Sequence, residues 1–214
     1  MLHKITALTL QKKNRQRINV FLDGEFAFGL DRLVAGWLHT GQEISDERIA
    51  ELKTADASEV AFQRALHLLK FRPRTESEIR LRLLKKSISP DDVEEVIERL
   101  KRNQMLDDRR FTIEWIENRS ALKPRSRRAL EFELRQHGVD QEIIQDSLAE
   151  VEDEQLAYQA AVRQVRKYQD FEWSEFRIKL ARYLNQRGFQ YDTIRDVTNR
   201  IWNEIHETES TPQT

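Results

Sequence analysis

At 214 residues, with 39% hydrophobic and 34% charged side chains but only six Gly and four Pro, the chain has the composition of a helical protein with a large charged surface. Its 36 basic and 37 acidic residues nearly cancel, so overall charge marks no nucleic-acid binder and the distribution along the chain carries the information. The absence of Cys excludes disulfides, thiol catalysis and Cys-ligated zinc, and with no signal-peptide core and no apolar run near the ~20 residues of a membrane span, a soluble cytoplasmic protein is expected.

Residues 1 to about 36 read as β structure. Ile5–Leu10 and Arg17–Leu22 are short strand-like runs. Asp23-Gly24 is a two-residue hairpin turn, since both central positions of such a turn need positive φ, and Glu25–Leu30 follows as a third strand. The loop between the first two strands carries Lys12, Lys13, Arg15 and Arg17 and nothing apolar to bury. It is a candidate DNA-contacting tip; the plain alternative is a solvated hairpin loop. Asp31–Leu38 reads as a short helix broken by His39-Thr40-Gly41. Ser45 caps a further helix, Asp46–Lys53, with Ile49 and Leu52 inward. Thr54–Ala57 reads as a short polar connection that closes an α+β module of residues 1–57, too small to be stable without its neighbour.

From Ser58 to about Ile205 the pattern is helical. Ser58 caps a helix with Val60, Phe62, Leu66 and Leu69 inward. Thr75 with Glu78 forms a capping box for the next, on which Ile79 and Leu83 fall one turn apart. Ser89, Pro90, Asp91 and Asp92 open a third, whose apolar stripe is Val93, Val96, Ile97 and Leu100. This unit returns twice at an offset of about 50 residues. Ile79 overlies Leu130 and Leu180, Leu83 overlies Leu134 and Leu184, and Val93 overlies Ile144 and Ile194. The break between the paired helices falls at Ser87, Gly138 and Gly188, where Gly is the expected left-handed cap. The fold class is therefore mainly α: three tandem three-helix repeats, at 58–107, 108–152 and 153–206, after a β-hairpin-containing module and before a polar tail at 207–214. Such repeats stack into an elongated, curved array. No heptad seam stands out, and a monomer is expected.

Charge is segregated within each repeat. The corner between first and second helix is basic: Lys70, Arg72, Arg74, Arg80 and Arg82, then Arg119, Lys123, Arg125, Arg127 and Arg128, then Arg163, Arg166, Lys167, Arg177 and Arg182. The third helix is acidic in the first two repeats, with Asp91, Asp92, Glu94, Glu95 and Glu98, then Glu142, Asp146 and Glu150. Stacked repeats would align these corners into a basic stripe beside an acidic ridge. The plain alternative is ordinary solvated helix faces. No catalytic, cofactor or metal constellation accompanies them: the five His are dispersed, and neither a phosphate loop nor a dinucleotide fingerprint occurs. Trp115, Trp173 and Trp202, with Phe111, Tyr168, Phe171 and Tyr183, read as core and inter-repeat packing. Nothing in the residues supports an enzyme.

The stretch Leu100-Lys101-Arg102-Asn103-Gln104-Met105-Leu106-Asp107-Asp108-Arg109-Arg110-Phe111 resembles the signature "Leu…Gly-Tyr-Leu-Asp-Asp-x-Arg-Phe" of the bacterial regulatory protein RecX family, with Gln104-Met105 in place of Gly-Tyr. Trp115, Arg119, Pro124-Arg125-Ser126 and Leu134-Arg135-Gln136-His137-Gly138-Val139 continue the likeness. Lys86-Ser87 stands where the family has Lys-Gly, and the third repeat has Phe171-Glu172-Trp173-Ser174 instead of the Pro-Arg-Ser corner. Arg17–Gly29 resembles an extra β-containing domain carried by some members. The resemblance implies a non-catalytic modulator of the RecA recombinase. Such a protein lies in the groove of the RecA–single-stranded-DNA filament, suppresses ATP hydrolysis and strand exchange, and so tempers recombination, DNA repair and the SOS response, with the basic corners as the expected contact, Arg72, Arg74, Lys123, Arg125, Arg127 and Arg128 foremost. The rival reading is a direct binder of single- or double-stranded DNA, using the basic stripe and the hairpin loop.

Overall fold

The computed structural model describes residues 1–209, so 210–214, most of the expected polar tail, lies outside the described residues. The chain divides into two compact units. One comprises Met1–Arg74 with Glu78–Leu106, and the other Thr75–Ser77 with the chain from Asp107.

The first unit opens with an antiparallel sheet of order β3-β2-β1-β4, formed by β1 (Leu2–Leu10), β2 (Arg17–Leu22), β3 (Glu25–Asp31) and β4 (Glu43–Ser45). Asp23 (φ 52°) and Gly24 (φ 96°) make the expected tight turn. β4 is too short to show alternation in the sequence; its Ile44 is buried opposite His3. The helix expected over Asp31–Leu38 does not form. Asp31 ends β3, and its carboxylate accepts the Leu33 N–H at 2.9 Å, a local turn that competes with helix. Only a 3-10 turn, Val34–Trp37, follows.

A larger correction concerns Thr54–Ala57. There is no connection there: α1 runs unbroken over Asp46–Leu69, capped by Ser45, and Ser58 lies in its interior rather than at a cap. The division expected at residue 57 falls inside this helix. The polar residues that read as a linker hold the sheet instead. Asp56 accepts Arg17 Nη2 at 2.9 Å and the Asp31 N–H at 2.5 Å, while the Thr54 hydroxyl donates to the Ala50 carbonyl at 3.1 Å. With no Gly or Pro in the stretch, nothing opposes helix.

One helix thus serves two cores. Its first half packs Leu52 and Ile49 against Val20, Phe28, Leu30 and Ala35. Its second half packs Ala61, Phe62 and Ala65 against Ile79 and Leu83 of α2 (Glu76–Leu84) and Val93, Val96, Ile97 and Leu100 of α3 (Pro90–Arg102). Each of these larger side chains contributes about 1.5–3 kcal/mol by leaving water. Buried Glu59 joins α1 to α3 through Arg99 Nη1 at 2.7 Å, with the guanidinium lying over the Phe62 ring.

The second unit contains α4 (Asp108–Leu122), α5 (Arg127–Gln136), α6 (Gln141–Leu148), α7 (Asp153–Val165), α8 (Trp173–Asn185) and α9 (Tyr191–Glu209) around one core. The aligned positions are buried as the repeat requires: Leu130, Leu134, Ile144, Leu180, Leu184 and Ile194. The turns after α2, α5 and α8 also recur. Ser87, Gly138 and Gly188 have φ of 59°, 74° and 88°, and the following N–H reaches back to Leu83, Leu134 and Leu184 carbonyls. This is the Schellman closure. Gln104, standing where the family signature has Gly, adopts φ 56° and closes α3 the same way.

Within the second unit a junction is built twice on one plan. The Glu76 N–H donates to Asp108 Oδ1 at 2.8 Å, and the Arg127 N–H donates to Asp153 Oδ1 at 2.5 Å. In each case the carboxylate of an Asp at the start of one helix accepts a backbone N–H at the start of another, where a negative charge suits the helix dipole. The Thr75 hydroxyl donates to the His137 carbonyl at 2.6 Å, and the Ser126 N–H to the Arg187 carbonyl at 3.0 Å. Contact is close enough that a Cβ on Gly138 would fall onto Ser77, and one on Gly188 would lie 2.7 Å from Ser126 Oγ. Among the described residues, no helix is long and apolar enough to cross a membrane.

Candidate partner-binding surface

The cations of the expected basic stripe fall into two groups. The first is engaged inside the protein. Arg17 is held by Asp56 and by the Gly29 carbonyl at 3.0 Å. Arg72 and Arg74 share Glu78, and Arg74 Nε also donates to the Leu68 carbonyl at 3.1 Å. Arg80 grips Glu94 through two nitrogens, each at 2.8 Å, and holds that carboxyl below its ordinary range. Arg119 and Arg125 both pair with Glu133, at 2.8 and 3.1 Å. Arg119 also lies over the Trp115 ring, whose indole N–H donates to the same carboxylate at 3.0 Å. Of these, Arg80 and Arg119 tie one helix to the next.

The second group is exposed and makes no ion pair among the described residues. In the second unit it comprises Lys123, before α5; Arg127 and Arg128, in its first turn; Arg163, Arg166 and Lys167, at the end of α7; and Arg177 and Arg182, on α8. In the first unit it comprises Arg82 on α2 and Lys12, Lys13 and Arg15 in the β1–β2 loop. Side chains extended into water without a carboxylate partner keep their full charge available to a second molecule.

Solvent-facing apolar residues on the helices that carry these cations were not anticipated from the sequence. On α5, Phe132 is exposed one turn after Arg128; on α8, Ile178 is exposed one turn before Arg182. Both lie off the stripes set by Leu130 and Leu134, and by Leu180 and Leu184, and that was the available signal. The aromatic residues, by contrast, are packing. Trp115 and Phe111 stack at 5.8 Å, Trp173 and Trp202 lie 5.2 Å apart, and all join the second unit's core. Tyr158 donates to Glu204 Oε2 at 2.8 Å, which raises the phenol's pKa. Among the described residues no cluster of His, Asp or Glu could hold a metal ion.

Models of four RecX domains match this chain in order. They are the Regulatory protein RecX N-terminal domain at residues 3–45 and the first, second and third RecX three-helix domains at 61–100, 107–148 and 152–198. The chain belongs to the RecX family. Regulatory protein RecX of Bacillus subtilis (strain 168) is 31% identical over 202 residues, covering 92% of this chain and 76% of that one. Regulatory protein RecX of Clostridium botulinum (strain Eklund 17B / Type B) is 27% identical over 207 residues, covering 94% and 97%. A crystal structure of regulatory protein RecX superposes with a TM-score of 0.70 at 26% identity, over 92% of this chain and 99% of that one. A crystal structure of RecX from Lactobacillus salivarius shares the fold at a TM-score of 0.60 and 20% identity, over 69% and 97%. These relatives are named as regulatory proteins.

Proposed function

We propose that this protein acts in the cytoplasm, as a monomer, to restrain the RecA–single-stranded-DNA filament, lowering its ATPase and strand-exchange activity. The observation that carries this reading is the set of exposed, unpaired cations on the second unit of a RecX-family chain, centred on Arg127, Arg128, Arg177 and Arg182. An assembly of protein and DNA presents phosphates and carboxylates along its groove. Cations held on rigid helices meet them without the cost of first breaking internal pairs. Phe132 and Ile178 add exposed apolar area on the same two helices.

The test is fluorescence anisotropy of labelled single-stranded DNA, with and without RecA and ATP, with turnover read in the same samples at physiological salt. Falling turnover at concentrations that leave bare DNA unbound supports the proposal. Tight binding to bare DNA, steeply salt-dependent and indifferent to RecA, supports the second reading, a direct DNA binder. The exposed Lys12, Lys13 and Arg15 favour that reading, since they form a tip with no structural task of their own.

A further inference from the structure

The first unit contains an open cleft of about 890 Å³ among the β1–β2 loop, α1 and α2. Its size is that of a ligand site rather than a packing fault. Its floor is aliphatic: Leu33, Val60, Leu68 and Leu83. Val60, Arg64, His67 and Leu68 recur at helical spacing along one face of α1, while Arg82 and Leu83 come from the end of α2 and Lys86 from the turn just beyond it. Arg64, Arg82 and Lys86 are exposed and make no ion pair among the described residues. The one acidic residue in the lining, Asp31, is buried and already accepts the Leu33 N–H, and the remaining cation, Arg17, is taken by Asp56. The charge offered to an incoming ligand is therefore positive, over an apolar base.

We infer that this cleft, with its aliphatic floor and its free Arg64, Arg82 and Lys86, is a docking site for an acidic peptide segment of a partner protein that carries bulky apolar side chains. Carboxylates pair with the guanidinium and ammonium groups, and the apolar side chains settle on Leu33, Val60 and Leu68. A nucleic-acid strand fits less well, because the floor is aliphatic and offers no Phe, Tyr or Trp face on which bases could stack. Leu33 strengthens the assignment: it is 67% exposed and also lines a neighbouring cleft of about 520 Å³ beside Trp37, itself 89% exposed. Apolar surface of that kind on a folded module marks a contact site. This docking is separate from filament regulation, and its test contains no RecA.

The experiment is fluorescence anisotropy of the full chain with a short fluorescein-labelled peptide of alternating glutamate and leucine. Controls are a polyglutamate peptide of the same length and a labelled oligothymidylate. The mixed peptide binds, and the polyglutamate peptide binds at least about tenfold more weakly for want of buried apolar area. Arg82→Glu with Lys86→Glu weakens the mixed peptide at least about tenfold. Leu33→Ser, at an exposed position that leaves the fold intact by circular dichroism, weakens it severalfold. No binding by the mixed peptide, or binding untouched by both variants, overturns the proposal. So does oligothymidylate binding that the same variants abolish while the peptide stays unbound, an outcome that assigns the cleft to nucleic acid.

Discussion

The first repeat and the two that follow share their buried positions and differ in what surrounds them. After α2 the left-handed position is Ser87, which is exposed, whereas Gly138 and Gly188 stand at the same place against neighbouring side chains. The corner of the first repeat is largely spent internally, with Arg72 and Arg74 on Glu78 and Arg80 on Glu94. The later corners leave Lys123, Arg127, Arg128, Arg177 and Arg182 open. Repetition of the core therefore does not imply repetition of the surface. Residues that look equivalent in the alignment take their roles from whether a neighbour supplies a side chain or a carboxylate.

Substitution at the caps probes that difference hardest. Gly138→Val places a β-branched residue at φ 74° and drives it onto Ser77; together the two effects cost about 3 kcal/mol, measured by urea unfolding. Ser87→Gly relieves the same backbone conformation where nothing crowds it and stabilises by about 0.5–1 kcal/mol. If both changes proved neutral, the distinction between the two positions would be lost. Glu59→Ala removes the carboxylate joining α1 to α3 in the first repeat. Because Arg99 is 35% exposed, the loss is about 1–2 kcal/mol rather than that of a fully buried pair. Unchanged stability would show that α1 is held by its apolar contacts alone.

The smallest effect belongs to the module ahead of the repeats. His3 Nδ1 lies 2.9 Å from Asp23 and Nε2 lies 3.1 Å from Asp46 at the start of α1; hydrogen bonding to Asp23, then to Asp46, raises its pKa. A raised cationic pKa favours the folded state fully below the ordinary value of about 6.5, and the benefit disappears as pH rises through the folded value. The gap in melting temperature between the parent chain and His3→Ala should therefore be larger at pH 6 and shrink as pH rises through the folded value. A gap that widens with rising pH would contradict the linkage.

The repeats were legible because their signals are local. The spacing of Ile79 and Leu83, of Leu130 and Leu134, and of Leu180 and Leu184 fixes each stripe, and Gly138 and Gly188 announce the caps. The continuity of α1 was not legible, since Thr54–Ala57 reads as a linker until Asp56 is seen to hold Arg17 and the Asp31 backbone, partners 39 and 25 residues away. The same holds for the cations. Arg80 and Arg119 each find a carboxylate 14 residues on, in another helix, so only the fold separates them from Arg127 and Arg128.

That separation is the central claim, and one paired comparison tests it. Binding to RecA–single-stranded-DNA filaments is measured for two charge-reversal sets: Arg127→Glu, Arg128→Glu, Arg177→Glu and Arg182→Glu, against Arg72→Glu, Arg80→Glu, Arg119→Glu and Arg125→Glu. The first set should lose filament binding by at least about tenfold while its melting temperature holds. The second should lose stability and, at a temperature where it remains folded, keep its binding. Filament binding that survives the first set and falls with the second would contradict the account.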